Sequence, residues 1–423
     1  MRTTLLACLL LAVVTAGCGG ASHSVLRLQV TPAISVEDQP LRIRFEGLRR
    51  LQGVWLELRS TDAKGNVFVS RAAFGADEAG VLDLARARPL AGSAYSGGPW
   101  QMGLVASMAA PNGLAFTDYV WGSAPRRFVL TASSASQTIA STTFVRRWRQ
   151  GTYTTVRATV GHDGFLGTLY APAGARRREA VLAIGGEEGG VGSRWLGERL
   201  AAHGIPALVV GYFHAPGLPE RLKDIPLEYF RAALAWLDRR PEVDAQRVSL
   251  LGVSYGSEAA LLLAAHYPNL VHGVAALVPS SVVTCGTIGA GRGGFESHAC
   301  IGSPWTLAGK PLAYAAVPNK LQPAVDPHAV IPVERIRSPV FLACGGRDQI
   351  WNSCRSARAI VARRNAHGGE LTQLYVYPDA GHYVGTPSLV FQPGSLSGDF
   401  FVPADERGRE DLWPRLLAFL HAS

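Results

Sequence analysis

The sequence predicts an α/β chain in two parts, an all-β sandwich followed by a mostly parallel, doubly wound sheet. Three observations carry that prediction. Between residues 25 and 145, short alternating stretches are separated by turn residues. Past residue 150, continuous apolar runs alternate with amphipathic segments, as strands buried on both faces alternate with helices. One of those runs ends in a Gly-x-Ser-x-Gly turn that opens into an apolar helix. With 423 residues and 48% hydrophobic content, the chain is long and apolar enough for two or three domains.

The first residues carry a leader. Arg2 precedes an apolar stretch from Leu5 to Val14 that is too short to span a membrane, and Ala16-Gly17 then precede Cys18. Residues 1–17 are expected to be an export signal. Cys18, following a small pair, resembles the lipobox cysteine at which bacterial lipoproteins are cleaved and lipidated. The expected location is therefore the bacterial cell envelope, periplasmic or outer-surface, with the membrane as a partner through the N-terminal lipid anchor.

Residues 24–150 form the expected sandwich. Leu41-Arg42-Ile43-Arg44-Phe45 and Val54-Trp55-Leu56-Glu57-Leu58-Arg59 alternate in polarity, and Asp62-Ala63-Lys64-Gly65-Asn66 is a turn signal. The size and near-regular strand spacing suit an immunoglobulin-like sandwich. The polar Ser, Thr and Ala residues between Thr131 and Thr143 allow either one further strand or a linker. Residues 151–423 form the expected catalytic domain. Its buried strands are Val181–Ile184, Ala207–Val210, Val248–Leu251, Val274–Val278 and Val340–Ala343, with helices around Trp195 to His203 and after Pro226.

The motif Gly252-Val253-Ser254-Tyr255-Gly256 is a nucleophile elbow. A strand that reverses into a helix over one strained residue crowds the backbone around it, so the flanking positions require glycine. A serine hydroxyl is a weak nucleophile and needs a histidine base and an orienting carboxylate. Asp348 follows the strand ending at Ala343-Cys344, and His382 lies in the loop Pro378-Asp379-Ala380-Gly381-His382 after Leu374–Tyr377. The order Ser254, Asp348, His382 is that of α/β-hydrolases. Asp379 is the competing acid, but its place three residues before the histidine suits a turn residue. His203, His266 and His272 have the character of helix-end or surface residues. The oxyanion of a tetrahedral intermediate would take one donor from the amide of Tyr255. The second is expected from Gly186 or Glu187, in the loop Gly185-Gly186-Glu187-Glu188-Gly189-Gly190. That loop lacks the lysine of a P-loop and the spacing of a dinucleotide fingerprint.

Of the six cysteines, Cys8 and Cys18 belong to the leader. The other four suggest local disulfides, Cys285 with Cys300 and Cys344 with Cys354, among the three connectivities open to four cysteines. Their spacing does not suit zinc, and no metal or cofactor is expected. The formal charge of +9 is spread over scattered arginines with short clusters such as Arg176-Arg177-Arg178, without the aromatic-interleaved stripe of a nucleic-acid-binding surface.

With the elbow, acid and base in place, the chain resembles the acyl-CoA thioesterase and bile acid-CoA:amino acid N-acyltransferase family. The resemblance rests on Pro40-Leu41-Arg42-Ile43, Gly47-Leu48, Met102-Gly103-Leu104, Gly211-Tyr212, Leu218-Pro219, Leu227-Glu228-Tyr229-Phe230, the elbow, Ile331-Pro332-Val333-Glu334 and Asp379-Ala380-Gly381-His382-Tyr383. It implies a sandwich joined to an α/β-hydrolase fold, with a triad of Ser254, Asp348 and His382. It also implies cleavage of an acyl thioester, and within the family a serine nucleophile goes with hydrolysis whereas the amino-acid transferases carry cysteine. The expectation is an exported serine hydrolase of a small-molecule acyl ester or thioester. The alternatives are an acyltransferase using an amine or alcohol acceptor, and a surface binding protein with a vestigial hydrolase domain.

Overall fold

The structure, a computed structural model, describes residues 25–110, 119–148, 151–287, 300–315, 327–369, 371–393 and 403–423. The expected leader and Cys18 lie outside them. Alternating apolar residues build two sheets in the first part of the chain. Arg27–Thr31, Arg42–Glu46 and Leu82–Asp83 form a three-stranded antiparallel sheet. Ile34–Val36, Gln137–Arg147, Arg126–Ser134, Gly53–Thr61 and Val67–Gly75 form a five-stranded one. In Gly53–Thr61 every second side chain is buried, so Leu56 and Leu58 meet Ile43, Phe45 and Phe128 in the core between the sheets. The Ser/Thr/Ala stretch is neither a linker nor a single strand: Arg126–Ser134 and Gln137–Arg147 pair as a hairpin turning on Ala135 and Ser136, both at positive φ. The outer side chains of the return strand are small and polar, which hid its alternation.

The second part is one eight-stranded sheet. Its strands are β1 (Tyr153–Ala158), β2 (Leu166–Pro172), β3 (Arg178–Ile184), β4 (Ala207–Gly211), β5 (Val243–Val253), β6 (Gly273–Leu277), β7 (Val340–Gly345) and β8 (Thr372–Tyr377). They lie in the order β8-β7-β6-β5-β3-β4-β2-β1. The pairings of β2 with β1 and with β4 are antiparallel and all others are parallel. The longer helices are α1 (Arg194–Ala202), α2 (Leu227–Leu237), α3 (Tyr255–His266), α4 (Ser353–Ala366) and α5 (Pro403–Ala422).

Successive residues of a strand face opposite sides of the sheet, and this divides the core. Leu182, Ile184 and Leu250 pack with residues of α2, α3 and α4. Val181, Ala183 and Leu251 pack with Leu200 of α1 and with Leu412 and Phe419 of α5, and this second core continues between the two N-terminal sheets. Tryptophan N–H groups stitch the polar parts of that junction. Trp100 donates to Glu410 at 2.5 Å, Trp121 to Gln392 at 2.7 Å, Trp148 to Glu198 at 2.9 Å and Trp413 to Asp38 at 2.9 Å. His203, expected at a helix end, does end α1, and it also joins this junction through Nε2 and Asp38 at 2.5 Å.

Candidate active site

Ser254 stands between β5 and α3 with φ 56° and ψ −123°, a strained conformation for a residue with a side chain. The crowding expected around it is present. A Cβ on Gly252 would stand 2.1 Å from the Gly256 carbonyl oxygen, and one on Gly256 would stand 2.1 Å from the oxygen of Ile184 and 2.4 Å from that of Gly185. Both positions therefore require glycine, and the second lets the start of α3 press against the loop after β3.

The acid and base loops are held together in the same manner. A Cβ on Gly345 would come within 2.1 Å of the Gly381 carbonyl oxygen, and one on Gly346 within 2.3 Å of that of Pro378. Asp348 is buried, and its Oδ2 hydrogen bonds His382 Nδ1 at 2.9 Å. Its Oδ1 accepts the amides of Ile350 at 2.9 Å and Trp351 at 3.2 Å. Asp379 lies outside this arrangement: its carboxylate is mostly solvent-exposed and pairs with the equally exposed Arg347 at 3.0 Å.

Aromatic rings connect the base to the elbow. Trp351 packs edge-on against His382 and against Tyr255, with centroids 5.6 and 5.4 Å apart, and its indole N–H donates to Val278 O at 2.9 Å. Tyr255 donates its hydroxyl to Cys285 O at 2.8 Å. The loop carrying His382 is fixed from α5, where the fully buried Asp405 accepts the Gly381 amide at 2.5 Å. Among the described residues no hydrogen bond joins Ser254 Oγ to His382 Nε2.

The Gly-rich loop after β3 borders the serine, since a Cβ on Gly186 would stand 3.2 Å from the Ser254 Cβ. Glu188 turns back along the loop and accepts the Ser193 hydroxyl. Glu187 is half-buried, and after burial itself its charge is the next cause that pushes the Tyr383 phenol up. Both disulfides are present, Cys285–Cys300 and Cys344–Cys354, with Cα atoms 5.4 and 5.0 Å apart. The second closes the loop that carries Asp348 and Trp351.

A buried acid beside the elbow was missed in the sequence. Glu258, one turn into α3, is fully buried and accepts Thr284 Oγ1 at 2.5 Å and the Trp305 indole N–H at 3.2 Å. Burial pushes its carboxyl up to about 7, against the lowering effect of the Thr284 and Trp305 hydrogen bonds. A lone acid within Ala-Ala-Leu-Leu-Leu was the available signal, since a carboxylate in an apolar helix needs partners. Trp351 and Asp405 left no comparable mark, and Tyr212 entered only as part of the Gly211-Tyr212 stretch that carries the resemblance.

The strand order, the strained serine between β5 and α3, and a histidine and aspartate on loops past β8 and β7 together define the α/β-hydrolase class. The model of the BAAT / acyl-CoA thioester hydrolase C-terminal region matches residues 225–422, and that of the acyl-CoA thioester hydrolase/BAAT N-terminal region matches residues 38–158. The chain belongs to the acyl-CoA thioesterase/BAAT family. Acyl-coenzyme A thioesterase 6 of Mus musculus is 28% identical over 432 residues, covering 93% of this chain and 95% of that protein. The peroxisomal succinyl-coenzyme A thioesterase of Mus musculus is 26% identical, covering 90% of this chain and 93% of its own. Among solved structures, an α/β hydrolase enzyme from a Medee basin deep-sea metagenome library covers 65% of this chain and all of its own at 15% identity and a TM-score of 0.42.

Proposed function

We propose that the chain is an exported serine hydrolase of acyl thioesters or esters, working through an acyl-enzyme on Ser254. The hydrogen bond from His382 to the buried Asp348, on loops held against the elbow, carries this reading. His382 Nε2 takes the Ser254 proton as the oxygen attacks the carbonyl, and Asp348 holds the imidazole with its proton on Nδ1. The tetrahedral oxyanion is held by the amide of Tyr255 and by the Gly186 or Glu187 amide. Collapse expels the thiol or alcohol, which leaves with the proton from His382. Water, deprotonated by the same imidazole, then releases the acid and restores Ser254. The Ser254–His382 contact closes in the substrate complex, as such contacts commonly do.

The thioester preference rests on the family, and the serine nucleophile favours water over an amine as acceptor. The two N-terminal sheets support reading that part as an immunoglobulin-like sandwich. Export is supported by the two disulfides Cys285–Cys300 and Cys344–Cys354, since such bonds persist in oxidising compartments, whereas lipidation of Cys18 rests on the small pair Ala16-Gly17 before it. A fluorophosphonate probe should label the wild-type protein and not Ser254→Ala. Turnover should be measured across acyl thioesters, esters and amides, with and without added amine. Failure of the wild type to label would return the chain to the binding-protein reading, and amine-dependent product outrunning hydrolysis would make it a transferase.

A further inference from the structure

Tyr212 lies just past β4 and is 2% exposed. Its hydroxyl points at two carbonyl oxygens of the loop after β3, donating to Gly185 O at 2.9 Å and to Gly186 O at 2.7 Å. A phenol has one proton, so that proton is shared between them. The ring cannot swing away, because Phe213, Phe230 and Trp305 pack around it with centroids 5.2, 5.4 and 5.7 Å distant. Burial, and then the carboxylates of Glu188 and Glu258, push the phenol far above its ordinary range, so it remains a donor at any working pH.

In a trans peptide unit the carbonyl of one residue and the N–H of the next point in opposite directions. Carbonyls of Gly185 and Gly186 that turn toward Tyr212 therefore turn the N–H groups of Gly186 and Glu187 away from it. Ser254 borders the same loop, with its Cβ 3.2 Å from where a Cβ on Gly186 would stand. Glycines leave this segment free to rotate its peptide planes, so something outside the loop must choose their direction. Given the serine-hydrolase reading above, we infer that Tyr212 is the positioning residue of the oxyanion site: it fastens the carbonyl side of the loop so that the Gly186 and Glu187 amides face the developing oxyanion. It touches neither substrate nor Ser254 and acts through the two peptide planes alone.

The test compares wild type with Tyr212→Phe, which keeps the ring and removes the proton. Loss of one neutral hydrogen bond that aims an oxyanion donor should lower kcat about tenfold and leave KM within about twofold. Affinity for a trifluoromethyl ketone, whose serine adduct carries the oxyanion, should fall by the same factor as kcat/KM. An unchanged kcat, or a fall not shared by the ketone, overturns the assignment. If Tyr212→Phe does not fold, fluorinated tyrosines placed at 212 replace it: kcat that varies with the acidity of the ring at constant Tm supports the role, and a flat series overturns it. Fluorophosphonate labelling of Ser254 separates the two levels. A wild type that does not label removes the hydrolase reading itself, whereas labelling with an unaffected Tyr212→Phe removes only the role of Tyr212.

Discussion

Asp348→Asn should cost the enzyme far more than its size suggests, because the neighbouring amides decide how the new side chain sits. Asp348 Oδ1 accepts two backbone N–H groups, from Ile350 and Trp351, while Oδ2 faces His382 Nδ1. An asparagine must keep its carbonyl oxygen toward those two donors, since turning the amide over would set N–H against N–H and leave buried donors unsatisfied. Its NH2 then occupies the Oδ2 position and faces Nδ1. The histidine can answer only by giving up its Nδ1 proton and carrying it on Nε2, the atom that accepts the Ser254 proton in the proposed mechanism. In a triad the wrong tautomer is worth about 10³- to 10⁴-fold in kcat, or about 4 to 5.5 kcal/mol in the barrier. Asp379→Asn is the control. Its exposed pair with Arg347 is worth about 1 kcal/mol of stability at most, and kcat should stay within about twofold. Steady-state hydrolysis of the best thioester or ester, with Tm recorded for both variants, makes the comparison. Asp348→Asn within about tenfold of wild type, or Asp379→Asn as the more damaging change, would refute the assignment of the acid.

Two further outcomes concern stability. The Glu258 carboxyl is raised from an ordinary value of 4.5 to about 7, so the folded state holds its proton more tightly than the unfolded chain does. Its contribution is fully present below pH 4.5 and is lost as pH rises through about 7. In urea melts, the stability of wild type minus that of Glu258→Gln should therefore fall by roughly 3 kcal/mol between pH 4 and pH 8, and parallel pH curves would show that Glu258 does not titrate this way. The Cys344–Cys354 bond closes a short loop, at a sequence separation of 10, around Asp348 and Trp351. Replacing both cysteines by serine should cost roughly 3 kcal/mol through a freer unfolded chain; an unfolding midpoint equal to wild type under non-reducing conditions would contradict this.

What the sequence made legible was whatever strain and periodicity write locally. Gly252 and Gly256 announced the elbow because a backbone contact near 2 Å leaves no other residue possible. The continuous apolar runs announced β3 to β7 because strands covered on both faces have no polar side to show. Asp348 and Asp379 are a harder case, since both follow a strand and both precede a turn. The difference between them is burial: Gly345 and Gly346 let the two loops approach until Asp348 is enclosed, while Asp379 stays outside with Arg347. Pairings across long separations left no trace at all. His203 looked like an ordinary helix end because its partner, Asp38, is 165 residues away, and Tyr212 carried no sign of reaching back to Gly185 and Gly186. Glu258 lies between these cases, an acid visibly out of place in α3 whose partners Thr284 and Trp305 only the fold supplies. The residues that bear the proposed chemistry were thus fixed by local constraints that sequence displays, and the residues that aim them were fixed by tertiary contacts that it does not. On that division, substitutions at Tyr212 should alter the rate while leaving the elbow Gly252-Val253-Ser254-Tyr255-Gly256 untouched.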